Sequence, residues 1–191
     1  MRKLKLQMQI TVDGYVAGPE GQLDWMTISW DEAEALIVFV NALTDSSDTI
    51  LMGRKMTEVF TTYWENVVNN QPGSPEFAFA HKMVDMKKIV FSKTQKTVAG
   101  KNVQVENGDL VTAVNALKNQ PGKDIIVYGG AGFVSSLIDA NLIDELHLFI
   151  NPVAIGNGLS IFKSRKSLQL VSSTAYKNGI VVNKYIPVKG E

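Results

Sequence analysis

The run Asp124-Ile125-Ile126-Val127-Tyr128-Gly129-Gly130-Ala131-Gly132-Phe133, continued by Val134-Ser135-Ser136-Leu137-Ile138, narrows the choice of folds more than any other part of the chain. A short apolar run predicts a buried strand, the glycines a turn, and the residues beyond them the opening of a helix. Where a strand feeds a helix through residues without side chains, backbone N–H groups are bare and the helix dipole turns its positive end outward. Such a turn suits an anion, above all a phosphate. A second turn of this kind lies upstream at Leu51-Met52-Gly53-Arg54-Lys55. Two of them in one small domain point to a dinucleotide.

The strand-to-helix rhythm recurs along the chain. Leu4, Leu6, Met8 and Ile10 alternate with Lys5, Gln7 and Gln9, the period of a half-buried strand. Asp13-Gly14, Gly18-Pro19 and Glu20-Gly21 then punctuate a long loop. Ser29 or Asp31 is expected to cap a helix running through Leu36, Val40 and Leu43. A strand over 49–52 and a short helix over 55–60 follow, and 61–75 reads as a surface loop. A helix near 77–84, a strand over 88–92, a short strand at Val103 and Val105, and a helix through Leu110, Val114 and Leu117 come next. Beyond the glycine turn, 145–153 reads as a strand. Two further strands, 168–176 and 180–186, are joined by Lys177-Asn178-Gly179, a hairpin signal. The expected architecture is α/β: a largely parallel sheet, helices on both faces, and an antiparallel hairpin at its edge.

Bulk properties restrict the function. With 191 residues the chain fits a single domain, 1–191, and 19 basic residues balance 19 acidic ones. No global field draws it to nucleic acid or to an anionic membrane. The absence of cysteine excludes disulfides, thiolate metal sites and a cysteine nucleophile. Gln7, Gln9 and Asp13 interrupt any signal-like apolar region, and the run Ala35–Val40 falls far short of the ~20 residues that span a bilayer. A soluble, cytoplasmic protein is expected.

The motifs refine this. Gly130-Ala131-Gly132 supplies two glycines of a G-x-G-x-x-G fingerprint, but Ser135 takes the third place and the turn lies late in the chain. No Walker lysine–serine turn is present. Cations at a helix start oppose the dipole, so helix stability does not account for Arg54 and Lys55; they and Lys93 read either as a grip on an anionic ligand or as solvated surface charge. With Ser92 and Lys93, at the end of another strand, they form a set suited to the 2′-phosphate that separates NADP from NAD. Asp13 reads either as an Asp-Gly turn residue or as a carboxylate at the cleft. Trp25 and Trp30 either stack on a planar substrate or pack a loop. His81 and His147 are isolated, and no metal site is expected.

Here the chain resembles a known superfamily. Ile50-Leu51-Met52-Gly53-Arg54-Lys55-Met56 resembles the strand-turn-helix of dihydrofolate reductases, and Lys88-Ile89-Val90-Phe91-Ser92-Lys93 their adenosine-side strand. Val127-Tyr128-Gly129-Gly130-Ala131-Gly132 resembles their glycine pair with its cis-like tight turn. Residues 10–18 and 143–158 are closer to the reductase domain of bacterial riboflavin biosynthesis proteins and its stand-alone relatives. The resemblance implies a dihydrofolate reductase-like three-layer α/β/α fold that binds NADPH. Met8, Gln9 and Ile10 would then border the substrate, and Ala17 would touch the nicotinamide side. Gly53, Arg54 and Lys55 would hold phosphate, Ser92 the adenosine ribose region, and Gly129, Gly130, Ala131, Gly132 and Phe133 the pyrophosphate.

Two departures bear on the substrate. Folate reductases place a carboxylate on the first helix where this chain has Ala35, with Glu32 and Glu34 rotated about 100° per residue away. Riboflavin-pathway members carry a glutamate before the glycine pair, where this chain has Tyr128. The leading expectation is an NADPH-dependent reductase of a small planar heterocyclic or carbonyl substrate, with the proton from water or from Asp13 or Glu34. The alternative is a nucleotide-binding protein of the same fold without turnover. The subgroup's habit implies a homodimer through the C-terminal strands, with which the apolar run Leu148–Ile155 is compatible.

Overall fold

Both faces of the first strand, β1 (Leu4–Thr11), have something to bury, and this fixes its place inside the sheet. In the computed structural model, which describes residues 1–26 and 33–188, Leu4, Leu6, Met8 and Ile10 enter one apolar core. Lys5, Gln7 and Gln9 alternate to the other face. The chain continues through α1 (Glu34–Asp45), β2 (Ser47–Gly53), α2 (Arg54–Asn70), α3 (Phe77–Asp85), β3 (Lys87–Phe91) and β4 (Val103–Glu106). Then come α4 (Leu110–Lys118), β5 (Asp124–Val127), α5 (Ala131–Asp139), β6 (Glu145–Asn151), β7 (Leu168–Ala175) and β8 (Val181–Pro187).

Among the described residues the strands form one eight-stranded sheet, ordered β4-β3-β2-β5-β1-β6-β8-β7. All pairs from β4 to β6 are parallel, and β8 runs antiparallel to both neighbours. Helices α4 and α5 cover one face through Val114, Leu117, Val134 and Leu137. Helices α1, α2 and α3 cover the other, where Leu43, Met83, Phe60 and Trp64 meet Ile50, Met52, Val90 and Ile126. This is the expected three-layer α/β/α arrangement with its C-terminal antiparallel hairpin.

Three local expectations change. The expected loop over 61–75 is for the most part the second half of α2. Its buried stripe is Thr57, Thr61 and Val67, so a hydrophobicity count misses it. Those hydroxyls are satisfied within the helix: Thr57 Oγ1 donates to the Gly53 carbonyl at 3.2 Å, and Thr61 Oγ1 to that of Thr57 at 3.0 Å. The run Leu148–Ile155 is no free surface in its first half. β6 lies between β1 and β8, with Leu148 and Phe149 buried, and the open edge belongs to β7, where Leu170 and Val171 are half exposed. No cis peptide occurs among the described residues, and the glycine turn is made by Gly130 at φ 84°. The expected caps Ser29 and Asp31, like Trp30 and Glu32, lie outside the described residues. Ala33 precedes α1 without a side-chain cap.

Lys88 is the most unusual core residue. It is 1% exposed, and its ammonium donates to the carbonyls of Val84 (2.9 Å) and Met86 (2.8 Å) at the end of α3. Burial lowers its pKa to about 8, against an ordinary 10.5. The folded protein therefore sheds this proton before the unfolded chain does, and stability rises with pH across that interval. Relative to Lys88→Met, the wild type should gain stability between pH 8 and pH 10.5. Urea midpoints of both proteins at the two ends of that range would reveal it, and a constant difference would contradict it.

Candidate functional site

Because β1, β2, β3, β5 and β6 are parallel, their C-terminal ends share one rim, and the expected binding residues are gathered there. Gly53 pairs in register with Phe91, which places Arg54 and Ser92 side by side just beyond the strands. Leu51 pairs with Val127, so the turn Tyr128–Gly130 follows on the other side of β2. The rim thus brings together Gly53–Lys55, Ser92–Lys93 and Gly129–Phe133.

The approach of these segments depends on missing side chains. A Cβ on Gly53 would lie 2.7 Å from Phe133 Cβ, and one on Gly129 would lie 2.9 Å from Met56 Sδ. The Phe133 ring stacks on Phe91 at 5.3 Å, pinning the first turn of α5 against the ends of β2 and β3. Helices α2 and α5 therefore begin beside each other. Neither has a side-chain cap, and neither carries an acid in its first turn. Their leading N–H groups and positive dipole ends are left for an anion. Arg54, Lys55 and Lys93 are exposed, and none forms an ion pair with a described residue.

Ser92 has a different part from the one expected. It is buried, and its Oγ accepts from the amides of Gln95 (2.9 Å) and Thr94 (3.3 Å). Its oxygen shapes the turn after β3, and Asn107 holds that turn from outside through the carbonyls of Ser92 and Gln95.

Asp13 is a clamp between loops rather than a proton donor. Its Oδ1 accepts from Thr11 Oγ1 at 2.5 Å, and its Oδ2 from the amides of Ile155 (3.1 Å) and Gly156 (2.7 Å). The Thr11 hydroxyl first, and then these amides, hold the carboxyl below its ordinary range, so it stays ionised. The loops after β1 and β6 are joined further by Val12 N to Val153 O, Val16 N to Leu159 O and Leu159 N to Ala17 O. Ala17 is thereby buried and tied down where the nicotinamide side of the cleft is expected.

Glu34, the other expected proton donor, lies on the exposed side of α1. Leu36 and Leu43 mark the buried side of α1, and Glu34 lies about 200° from Leu36 around the helix, exposed to solvent. Trp25 is 9% exposed and its indole nitrogen has no partner among the described residues, so its ring is packed away rather than open for stacking. Gln9 is half-buried on β1, with its Oε1 accepting from Asn151 Nδ2 at 2.7 Å. Asn151, buried at the end of β6, was not singled out in the sequence; the Asn-Pro step closing an apolar run was its only signal. Tyr128 fills the position of the absent glutamate. Its hydroxyl meets Thr44 Oγ1 at 3.0 Å, and burial raises its pKa, keeping the phenol neutral. Among the described residues no group of three or more His, Asp or Glu side chains could hold a metal ion. No helix there is long and apolar enough to cross a membrane.

The model of the RibD C-terminal domain matches residues 2–182. The chain belongs to the RibD C-terminal domain family. It is 33% identical over 183 residues to the uncharacterized protein YyaP of Bacillus subtilis, covering 94% of this chain and 92% of YyaP. A Shewanella sp. PV-4 protein assigned to riboflavin biosynthesis superposes with a TM-score of 0.74 at 21% identity, over 99% of this chain and 100% of that one. A Thermotoga maritima diaminohydroxyphosphoribosylaminopyrimidine deaminase/5-amino-6-(5-phosphoribosylamino)uracil reductase superposes at 0.64 with 16% identity, over 98% of this chain and 57% of its own. The family's reductase-like fold is therefore that of this chain.

The two glycine contacts differ in what they tolerate. Gly53 has an ordinary extended backbone, so Gly53→Ala meets only the crowded Phe133 Cβ, at a cost of about 1–3 kcal/mol. Gly132 lies inside α5 with open space around it, and Gly132→Ala should stabilise by roughly 0.5–1 kcal/mol. Thermal melts of the two variants should move in opposite directions; a shared direction would count against the packing described.

Proposed function

We propose that the protein is an NADPH-dependent reductase of a small planar heterocyclic or carbonyl substrate. The observation that carries this reading is the convergence of two uncapped helix starts beside three cations that pair with no described acid. The donor set fits the coenzyme: N–H groups at the start of α5 for one phosphate of its bridge, those of α2 for the other, and Arg54, Lys55 and Lys93 for the 2′-phosphate. Bound there, NADPH would supply hydride. The chain's own share is orientation and exclusion of water. Asp13 fixes the loop after β1 onto that after β6, and this closed pair of loops borders the reacting end of the cleft. With Asp13 engaged and Glu34 turned outward, the proton would come from water.

The second reading, a nucleotide-binding protein without turnover, draws on the neutral groups Tyr128 and Ala35 where related reductases carry acids. Titration calorimetry with NADPH and NADH, followed by absorbance loss with a pterin, pyrimidine and quinone panel, separates the two. NADPH should bind at least about tenfold more tightly than NADH, one charge-assisted contact being worth that much. Arg54→Ala should reduce this preference and leave NADH binding unchanged. Binding without turnover on the panel would favour the second reading; no heat with either coenzyme would overturn both. Glu34→Gln should leave turnover within about twofold of wild type, a surface change away from the cleft. The homodimer implied by the family habit would use the open edge of β7.

A further inference from the structure

An asparagine followed by glycine is a step at which a chain can attack itself, because no Cβ on the second residue screens the carboxamide from the next backbone nitrogen. The sequence has three: Asn107-Gly108, Asn157-Gly158 and Asn178-Gly179. The fold treats them unequally. Asn107 Nδ2 donates to the carbonyls of Ser92 (2.5 Å) and Gln95 (2.7 Å), and the Gly108 N–H donates to Glu106 Oε1 at 2.7 Å. This carboxamide is pinned, and a carboxylate beside the glycine N–H opposes removal of its proton. Asn178 Oδ1 accepts from the amide of Ile180 at 3.3 Å, its Nδ2 is buried, and the Gly179 N–H donates to the Tyr176 carbonyl at 3.0 Å.

Asn157 has neither restraint. It is exposed, and neither its carboxamide nor the Gly158 N–H has a hydrogen-bond partner among the described residues. The glycine itself is obligatory. A Cβ on Gly158 would run into the Ala17 carbonyl oxygen and lie 3.1 Å from both Ile155 Cδ1 and Tyr15 Cβ. The close approach of the loops after β1 and β6 therefore builds the reactive step into the fold. It also sets that step between the two fastenings of those loops. Asp13 grips the amides of Ile155 and Gly156 on one side, and Leu159 bonds to Val16 and Ala17 on the other.

We propose that Asn157 is a site of spontaneous deamidation, and that its isoaspartyl product releases the clamp between the loops after β1 and β6. The Gly158 nitrogen gives its proton to hydroxide and attacks Asn157 Cγ. The Cγ–Nδ2 bond breaks, ammonia leaves, and a cyclic succinimide remains. Water opens that ring at either carbonyl to give aspartate or isoaspartate, and nothing is oxidised or reduced. Isoaspartate routes the main chain through the side-chain methylene, which lengthens the path from Gly156 to Leu159 by that carbon. It also adds a negative charge next to Gly156, whose amide holds the ionised Asp13. The site stands without the reductase reading; only the further consequence, an opened nicotinamide side and slower turnover, rests on it.

The test is peptide mapping by mass spectrometry of the full chain aged at alkaline pH, folded and in urea. In the folded protein Asn157 should convert at least about tenfold faster than Asn107 or Asn178, the effect of the hydrogen bonds that restrain those two steps. In urea the three rates should converge. After ageing, amide hydrogen exchange at Ile155, Gly156, Val16 and Leu159 should rise by at least about tenfold, as bonds to the Asp13 carboxylate and across the loop pair are lost. Asn157→Gln, whose longer side chain closes the ring poorly, should age without that rise. Conversion led by Asn107 or Asn178, equal rates in the folded protein, or unchanged exchange at these amides after ageing overturns the proposal. Selective conversion and faster exchange in a protein that binds no NADPH, fresh or aged, would uphold it and sink only the coenzyme reading.

Discussion

The contact between Gly53 and Phe133 is the constraint on which the site depends. It lets the end of β2 and the start of α5 approach to a distance that any side chain on residue 53 would forbid. The Phe91–Phe133 stack then locks α5 in place, and Gly129 leaves room for the flexible end of Met56 from α2. Two helices that could have begun apart begin together, with their N–H groups bare. The sheet order does the rest, since β3, β2 and β5 are neighbours and their ends deliver the cations and amides to one strip of rim.

Charge follows the same polarity. The ion pairs Arg2–Asp48, Lys3–Glu145, Lys5–Asp124, Lys82–Asp45, Lys101–Asp85, Lys118–Asp144 and Lys184–Glu145 gather toward the starting ends of the strands. There Glu145 ionises despite its burial, because Lys3 and Lys184 donate to it and hold its pKa at about 2. At the opposite rim Arg54, Lys55 and Lys93 have no such partners among the described residues. A chain of zero net charge thus keeps a local positive field where the helix starts meet. Neutralising one end and leaving the other open is a stronger pointer to an anionic ligand than any total.

Much of this was legible in the sequence, because glycine and cation placement at strand ends is a local signal. The hairpin at Lys177-Asn178-Gly179 follows from turn chemistry, β1 from two-residue alternation, and β3 and β5 from short apolar runs. What was hidden depends on distant partners. Thr57 and Thr61 disguise the buried stripe of α2, since a threonine looks polar until its hydroxyl finds a carbonyl one turn back. Asp13 reads as a cleft acid until residues 155 and 156, far along the chain, supply the amides that claim it. Glu34 depends on the rotation of α1, which one residue alters by about 100°. Asn151 gains meaning only from strand register, which sets it beside β1 where it meets Gln9.

The central claim, that the two adjoining helix starts form the phosphate cradle, is tested most directly by following backbone amide chemical shifts of the labelled protein as NADPH is added. The largest changes are expected at residues 53–56 and 130–133, with smaller ones at 92–95. Changes confined to the opposite rim, around residues 118–124, or none at saturating coenzyme, would contradict the account.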